Sequence, residues 1–408
     1  MAPAVLSLFA GYGIELEYMI VDGRSGDVLP VADRLLAKEA GQVVSTVERG
    51  DAAWSNELVL HVIELKTNGP AAGLEPLAGL FLREVQHINR RLEEWGGRLM
   101  PTAMHPWMDP GRETVLWPHD DSEIYATYDG IFDCRGHGWS NLQSMHINLP
   151  FADDAEFRHL HTAIRTLLPV MPAIAASSPL LEGEFTGFMD TRLETYRHNA
   201  RRIPAVTGLV VPEAVHGRGD YERDILAPMY AAIAPLDPGR VLQYEWLNSR
   251  GAIARFDRST IEIRVLDMQE TPRADLAVAA AIIAVLKALA GSRWTTPAEQ
   301  AALSTEALAE LFLDHIRDAE EAVIRSPRYL RLFDFPDKDC RAADLWEYLL
   351  DECGDGDWVE VIRGICRDGC LARRIRRAVG TGGSRGRIKE TYRVLSRCLE
   401  DGSLFQGI

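Results

Sequence analysis

A chain of 408 residues with 47% hydrophobic and 25% charged side chains has the composition of a globular protein with a sizeable core. Its 60 Asp and Glu against 44 Lys and Arg give a formal net charge of -16, which opposes any general attraction to nucleic acid or anionic membranes. No stretch approaches the ~20 apolar residues of a bilayer span, and residues 6–10 are too short for a secretory core, so a cytoplasmic protein is expected.

In chain order, residues 14–20 (IELEYMI) and 58–66 read as strands. Over residues 74–95, Leu77, Phe81, Val85, Ile88, Leu92 and Trp95 recur at helical spacing until Gly96 and Gly97 stop the pattern. Residues 143–149 (QSMHINL) alternate again, and Asp153 or Asp154 can cap a helix running toward Pro169. Residues 260–267 (TIEIRVLD) form another period-2 strand, and a long helical block begins at Ala274. The apolar run over 276–290 is broken by Lys287 and reads as a buried helix. Beyond Arg293 the pattern is mainly helical, with a Gly-rich break over 380–386 (GTGGSRG).

Strands separated by helices or long excursions, each with one polar face, predict an α+β fold with an antiparallel sheet whose apolar face is covered by helices. The expected division is a core over 1–293 and a helical region over 294–408 packed on it. The cysteines Cys134, Cys340, Cys353, Cys366, Cys370 and Cys398 contain no CxxC pair and read as buried or surface thiols, not as a disulfide framework or a zinc site.

Alternation along a strand puts Glu15 and Glu17 on one face, Glu64 and Lys66 on another, Ser144, His146 and Asn148 on a third, and Glu262 with Arg264 on a fourth. For one strand a solvated face explains this. Across four strands, clustered carboxylates raise each other's pKa unless cations intervene, and oxygen-rich donors with one imidazole suit Mg²⁺ or Mn²⁺. An arginine among such carboxylates makes sense if an anion such as a transferring phosphoryl group passes between them. No Walker A sequence or strand–GxGxxG–helix fingerprint occurs, so metals and arginines would have to hold the phosphate. Glu57 lies an odd seven residues before Glu64, which on one regular strand puts it on the opposite face. The pattern alone makes it a surface residue, unless a bulge or a preceding turn intervenes.

These segments, in this order, resemble the glutamate–cysteine ligase type 2 family of the glutamine-synthetase superfamily. The resemblance is carried by Gly13-Ile14-Glu15-Leu16-Glu17-Tyr18, by residues 57–67 (ELVLHVIELKT), by Met104-His105-Pro106-Trp107 and by Ser144-Met145-His146-Ile147. It continues through Ser177-Ser178-Pro179 with Gly183, Gly187 and Arg192, through Arg255 with residues 260–267, and through the glycine-rich segment 380–387. It implies a half-funnel or barrel of antiparallel strands holding divalent ions and ATP. It also implies metal ligation by Glu15, Glu17, Glu57, Glu64, His146 and Glu262, which turns Glu57 inward. Arg192, Arg255 and Arg264 become candidates for phosphate or substrate carboxylate, with Arg255 and Arg264 catalytic, and His105 a substrate-side candidate. The Gly-rich segment 380–387 could complete the site.

The chain departs from the family pattern at Met104, at Ser144, which replaces a second histidine, and at Arg385-Gly386-Arg387. The reaction implied is ATP-dependent ligation of a small-molecule acid, glutamate or similar, to an amine, with cysteine the leading acceptor. Two other classes fit the same face: a guanidino-kinase-like phosphotransferase and a non-catalytic metabolite-binding relative. Sheet edges or helices could be buried in a symmetric homodimer.

Overall fold

The computed structural model describes residues 5–408. Its strands in chain order are β1 (Gly13–Asp22), β2 (Thr46–Arg49), β3 (Ala52–Asn56), β4 (Val62–Thr67), β5 (Gly97–Met100), β6 (Ser144–Pro150), β7 (Leu180–Leu181), β8 (Glu184–Phe185), β9 (Ala252–Arg255), β10 (Thr260–Asp267), β11 (Val323–Ile324) and β12 (Cys340–Arg341), the last two paired only with each other. An eight-stranded sheet runs β2-β3-β4-β1-β6-β10-β9, with β5 also paired to β1; β7 and β8 form a separate hairpin. Every pairing in the large sheet is antiparallel. The long β1 is central: residues 13–16 pair with β6, residues 15–19 with β4 and residues 19–22 with β5.

The sheet is open, with β2 and β9 at its edges, so the antiparallel sheet expected from the sequence is present but a closed barrel is not. The second strand also differs from its expected span. It begins at Val62, and residues 57–61 belong to the connection from β3. The strands β2, β3, β5 and β9, of four or five residues each, are too short to carry a periodic signal against base composition.

One face of the sheet is apolar. Ile14, Leu16, Tyr18, Ile63, Leu65, Met145, Ile147, Leu149, Ile261 and Ile263 are buried there, each such side chain contributing about 1.5–3 kcal/mol of transfer free energy. Helices carry the rest of this core. Leu77–Leu92 supplies Leu77, Phe81, Val85, Ile88 and Leu92, and ends before Gly96, whose φ of 69° suits a residue without Cβ. Asp153 caps Asp154–Leu167 by accepting from the amides of Ala155 and Glu156. The buried helix Pro272–Ala290 follows β10, with Lys287 exposed on its outer side.

The C-terminal helices share this core. Trp346 Nε1 donates to Val170 O at 2.9 Å, Tyr329 Oη to Thr166 O at 2.9 Å, and Arg374 pairs with the fully buried Glu270 at 2.7 Å. The cysteines are all free thiols. Among the described residues, no helix is long and apolar enough to cross a membrane.

Candidate active site

The opposite face of the same strands is lined with charge. Directly paired residues on neighbouring antiparallel strands share a face, with Cβ atoms about 5 Å apart. The register sets Glu17 beside Glu64, places Glu15 between Lys66 and His146, and puts Glu262 beside Asn148. Ser55 of β3 completes the row next to Glu64, donating to its Oε1 at 2.6 Å.

Glu57 joins this cluster. It lies just beyond the end of β3, so a chain reversal separates it from Glu64, and the parity rule for one strand does not apply. Of the two routes by which it could turn inward, the structure uses the turn. Oxygens of Glu17, Glu57 and Glu64 lie within 4.8 Å of one another, as do ligand atoms of Glu15, Glu64 and His146. Glu262 belongs to neither grouping and is engaged by arginines instead. Arg264 Nε is 2.9 Å from Glu262 Oε1, and Arg255 Nη1 is 3.5 Å from Oε2.

His146 is held from both ring nitrogens: Nδ1 lies 2.9 Å from Glu15 Oε2 and Nε2 lies 2.9 Å from Ser144 Oγ. Burial opposes its charging, but the Glu15 hydrogen bond and the carboxylates of Glu17 and Glu262 outweigh it and push the imidazole up to about 9. Burial raises Glu17, with Glu64 adding repulsion, and pushes Glu57 well above the usual range with Glu17 and Glu64 adding to it. Burial also opposes ionisation of Glu262, yet Arg264, His146 and Arg255 hold it below its ordinary value. Thus five glutamates face four cationic groups, and burial disfavours the charged forms of Glu17 and Glu57 in particular.

Two expected site residues are placed differently. His105 is fully buried away from this row: its Nε2 meets Gly26 O at 2.8 Å and its Nδ1 accepts from the Trp107 amide at 3.3 Å. Burial lowers it to about 3, and both ring nitrogens are committed to backbone partners. Arg192 lies beneath the site, where its Nε donates to Asp267 Oδ1 at 2.6 Å and its side chain is 2% exposed. Its two terminal nitrogens point to the Arg264 carbonyl, at 3.4 and 3.3 Å.

Asp267 was not anticipated. It is an odd five residues from Glu262, which on a regular strand would face the core, but the ladder between β10 and β6 shifts register between Ile263 and Leu266. The extra residue of this bulge turns Asp267 onto the polar side opposite Ser144. The odd spacing of two acidic residues flanking an arginine was the available signal.

The matching family model, glutamate–cysteine ligase family 2 (GCS2), covers residues 12–393. An uncharacterized protein of Archaeoglobus fulgidus is 37% identical over 276 residues, spanning 68% of this chain and 74% of the relative. The glutamate–cysteine ligase of Francisella tularensis, solved in complex with AMP, superposes with a TM-score of 0.58 at 12% identity, covering 97% of this chain and 89% of that one. PafA, the ligase of the prokaryotic ubiquitin-like protein Pup, superposes with a TM-score of 0.51 at 12% identity over 98% of this chain and 77% of that one. At such identities these two likenesses speak for the fold alone, whereas the family match runs through every strand that supplies the glutamate cluster: this chain belongs to glutamate–cysteine ligase family 2.

Proposed function

We propose that the protein is an ATP-dependent carboxylate–amine ligase that activates the γ-carboxylate of glutamate, or of a similar acid, for attack by an amine, with cysteine the leading acceptor. The observation that carries this reading is a face of five converging glutamates and one histidine bordered by Arg255 and Arg264. The name of the matching family, glutamate–cysteine ligase family 2, supports the reaction class.

The donor set fits hard divalent cations. Glu15, Glu64 and His146 would hold one and Glu17, Glu57 and Glu64 another, all but one donor being carboxylate oxygen. Mg²⁺ or Mn²⁺ bound there would neutralise charge on the phosphate oxygens of ATP. Two of the carboxylates sit above their ordinary pKa when alone, which is the expected state of a cluster awaiting positive charge.

In the proposed reaction an oxygen of the substrate carboxylate attacks the γ-phosphorus, the bond to the β-phosphate oxygen breaks, and ADP leaves. The amine nitrogen then attacks the acyl phosphate carbonyl and inorganic phosphate departs with the former carboxylate oxygen. Arg264 spends its Nε on Glu262, while Nη1 has only a long 3.5 Å contact with Asn248 O, which leaves the guanidinium edge for the transferring phosphoryl group. Arg255, with contacts of 3.5 Å to both Glu262 and Asp257, is similarly under-committed. No side-chain nucleophile is required, because the substrate carboxylate is the nucleophile.

The test is ATP turnover with Mg²⁺ and glutamate across a panel of amines, with product mass as the readout. ADP release that needs both acid and amine, with an amide product, supports ligation. Phosphorylation of a single substrate would instead make the protein a guanidino-kinase-like phosphotransferase. Metal-independent metabolite binding without turnover would make it a non-catalytic relative.

A further inference from the structure

The bulge in β10 takes Arg264 out of the regular ladder. Its amide donates to Gly251 O at 2.9 Å. Its carbonyl accepts from Arg192, with Nη1 at 3.4 Å and Nη2 at 3.3 Å. The same guanidinium is held through Nε by Asp267 Oδ1 at 2.6 Å. The second Asp267 oxygen accepts from the Ser177 amide and from Ser178 Oγ, each at 2.8 Å, and Ser178 Oγ in turn accepts from the Arg192 amide at 3.1 Å. Asp267 is fully buried and Arg192 is 2% exposed. A buried aspartate thus fixes a buried arginine, and that arginine fixes the carbonyl of the residue whose side chain ends on Glu262.

We infer that Asp267 is a positioning residue, which acts through Arg192 to hold the bulged backbone of Arg264 so that the Arg264 guanidinium stays at Glu262 and faces the transferring group. This deepens the ligase reading and, as regards catalysis, rests on it. Two features favour this role over mere burial of an ion pair. A salt bridge that served only stability would be replaceable by apolar side chains, yet here two further donors, the Ser177 amide and Ser178 Oγ, converge on Asp267, and Ser178 Oγ also accepts from the Arg192 amide. Its one outlet toward the site is a backbone carbonyl in the strand carrying Glu262 and Arg264. A one-strand bulge is also a weak point, since its extra residue has lost its ladder partner and needs hydrogen bonds from elsewhere.

Asp267→Asn keeps the shape and removes the charge; Arg192→Lys keeps the charge and cannot bridge Asp267 and the Arg264 carbonyl together. In the full-length protein both are expected to lower kcat about 10- to 100-fold, as displacements of this size do, with the KM for ATP changed less than about threefold. In the Arg264→Ala background the same substitutions should cost little more, because the group they position is gone. Additive losses in that double mutant, or a KM effect with kcat intact, would overturn the inference. Crystal structures of the two variants supply a readout independent of activity: Arg264 should leave Glu262 while the rest of the sheet is kept. An Arg264–Glu262 contact unchanged at 2.9 Å in a folded variant sinks the positioning role even if the ligase reading holds. Parent protein without ATP turnover would sink the ligase reading and leave this structural outcome to decide the clamp. If Asp267→Asn does not fold, Arg192→Lys carries both measurements.

Discussion

Glu57 and Glu64 bring carboxylate oxygens within 4.8 Å of each other and of Glu17, although they stand on either side of a chain reversal. Glu64 belongs to both groupings of ligand atoms, whereas Glu262 belongs to neither. Their contributions to metal affinity should therefore differ.

Glu64→Gln removes a donor common to both groupings and is expected to weaken Mn²⁺ binding by at least about tenfold, measured by calorimetric titration. Glu262→Gln, which frees Arg264 and Arg255, should shift the same titration less. Equal shifts would place Glu262 among the ligands on the same footing as Glu64.

Arg264→Ala should reduce kcat by about 100-fold or more, the usual cost of losing a preorganised charge that acts on the transition state, with a smaller change in the KM for ATP. Initial rates of ADP release at saturating and limiting ATP separate the two parameters. Full turnover in the variant would remove Arg264 from the phosphoryl-transfer role.

The metal-free protein should lose stability as pH rises from about 6.5 to 9. His146 has a folded-state pKa of about 9 against an ordinary 6.5, so its charged form contributes fully below 6.5 and the contribution disappears as pH passes 9. Glu17 and Glu57, both raised by burial first and by neighbouring carboxylates next, act in the same direction because their protonated forms are favoured in the fold. Urea midpoints of parent and His146→Gln should converge toward the upper end of this range. Because a metal-bound imidazole must be neutral, Mn²⁺ affinity should rise over the same interval, with proton release on binding.

Gly251 lies beside the bulge. A Cβ there would meet Val265 Cγ1 at 2.5 Å and Leu168 and Val210 at 3.1 Å, while its carbonyl holds the Arg264 amide. Gly251→Ala should destabilise the fold by about 1–3 kcal/mol through overpacking, read as a lower urea midpoint with an unchanged m-value. A neutral substitution would mean that the strand edge relaxes without strain.

Much of the site was legible because strand alternation is local. The pairs Glu15 with Glu17 and Glu262 with Arg264 lie within single strands, so period 2 alone put each pair on one face, and the structure shows both there. Glu57 was illegible from spacing, since parity carries no information across a turn, and there the family resemblance corrected the pattern. His105 shows the opposite case. A motif position suggested a substrate contact, but burial and backbone partners tie it to the loop around Gly26 and Trp107.

What the sequence determined by itself was the chemistry available: an acidic, oxygen-rich face with one imidazole and two arginines, carried on an antiparallel α+β framework. Side-chain type and alternation are written residue by residue, and they need no knowledge of which strands meet. Only the tertiary structure decided which carboxylates converge, that Glu262 answers to arginines, that Arg192 is spent on Asp267, and that the sheet stays open. Those outcomes depend on strand order, on a register shift of one residue and on a reversal between two strands. Each is selected by packing energy summed over the whole core, and no short window of sequence contains that sum.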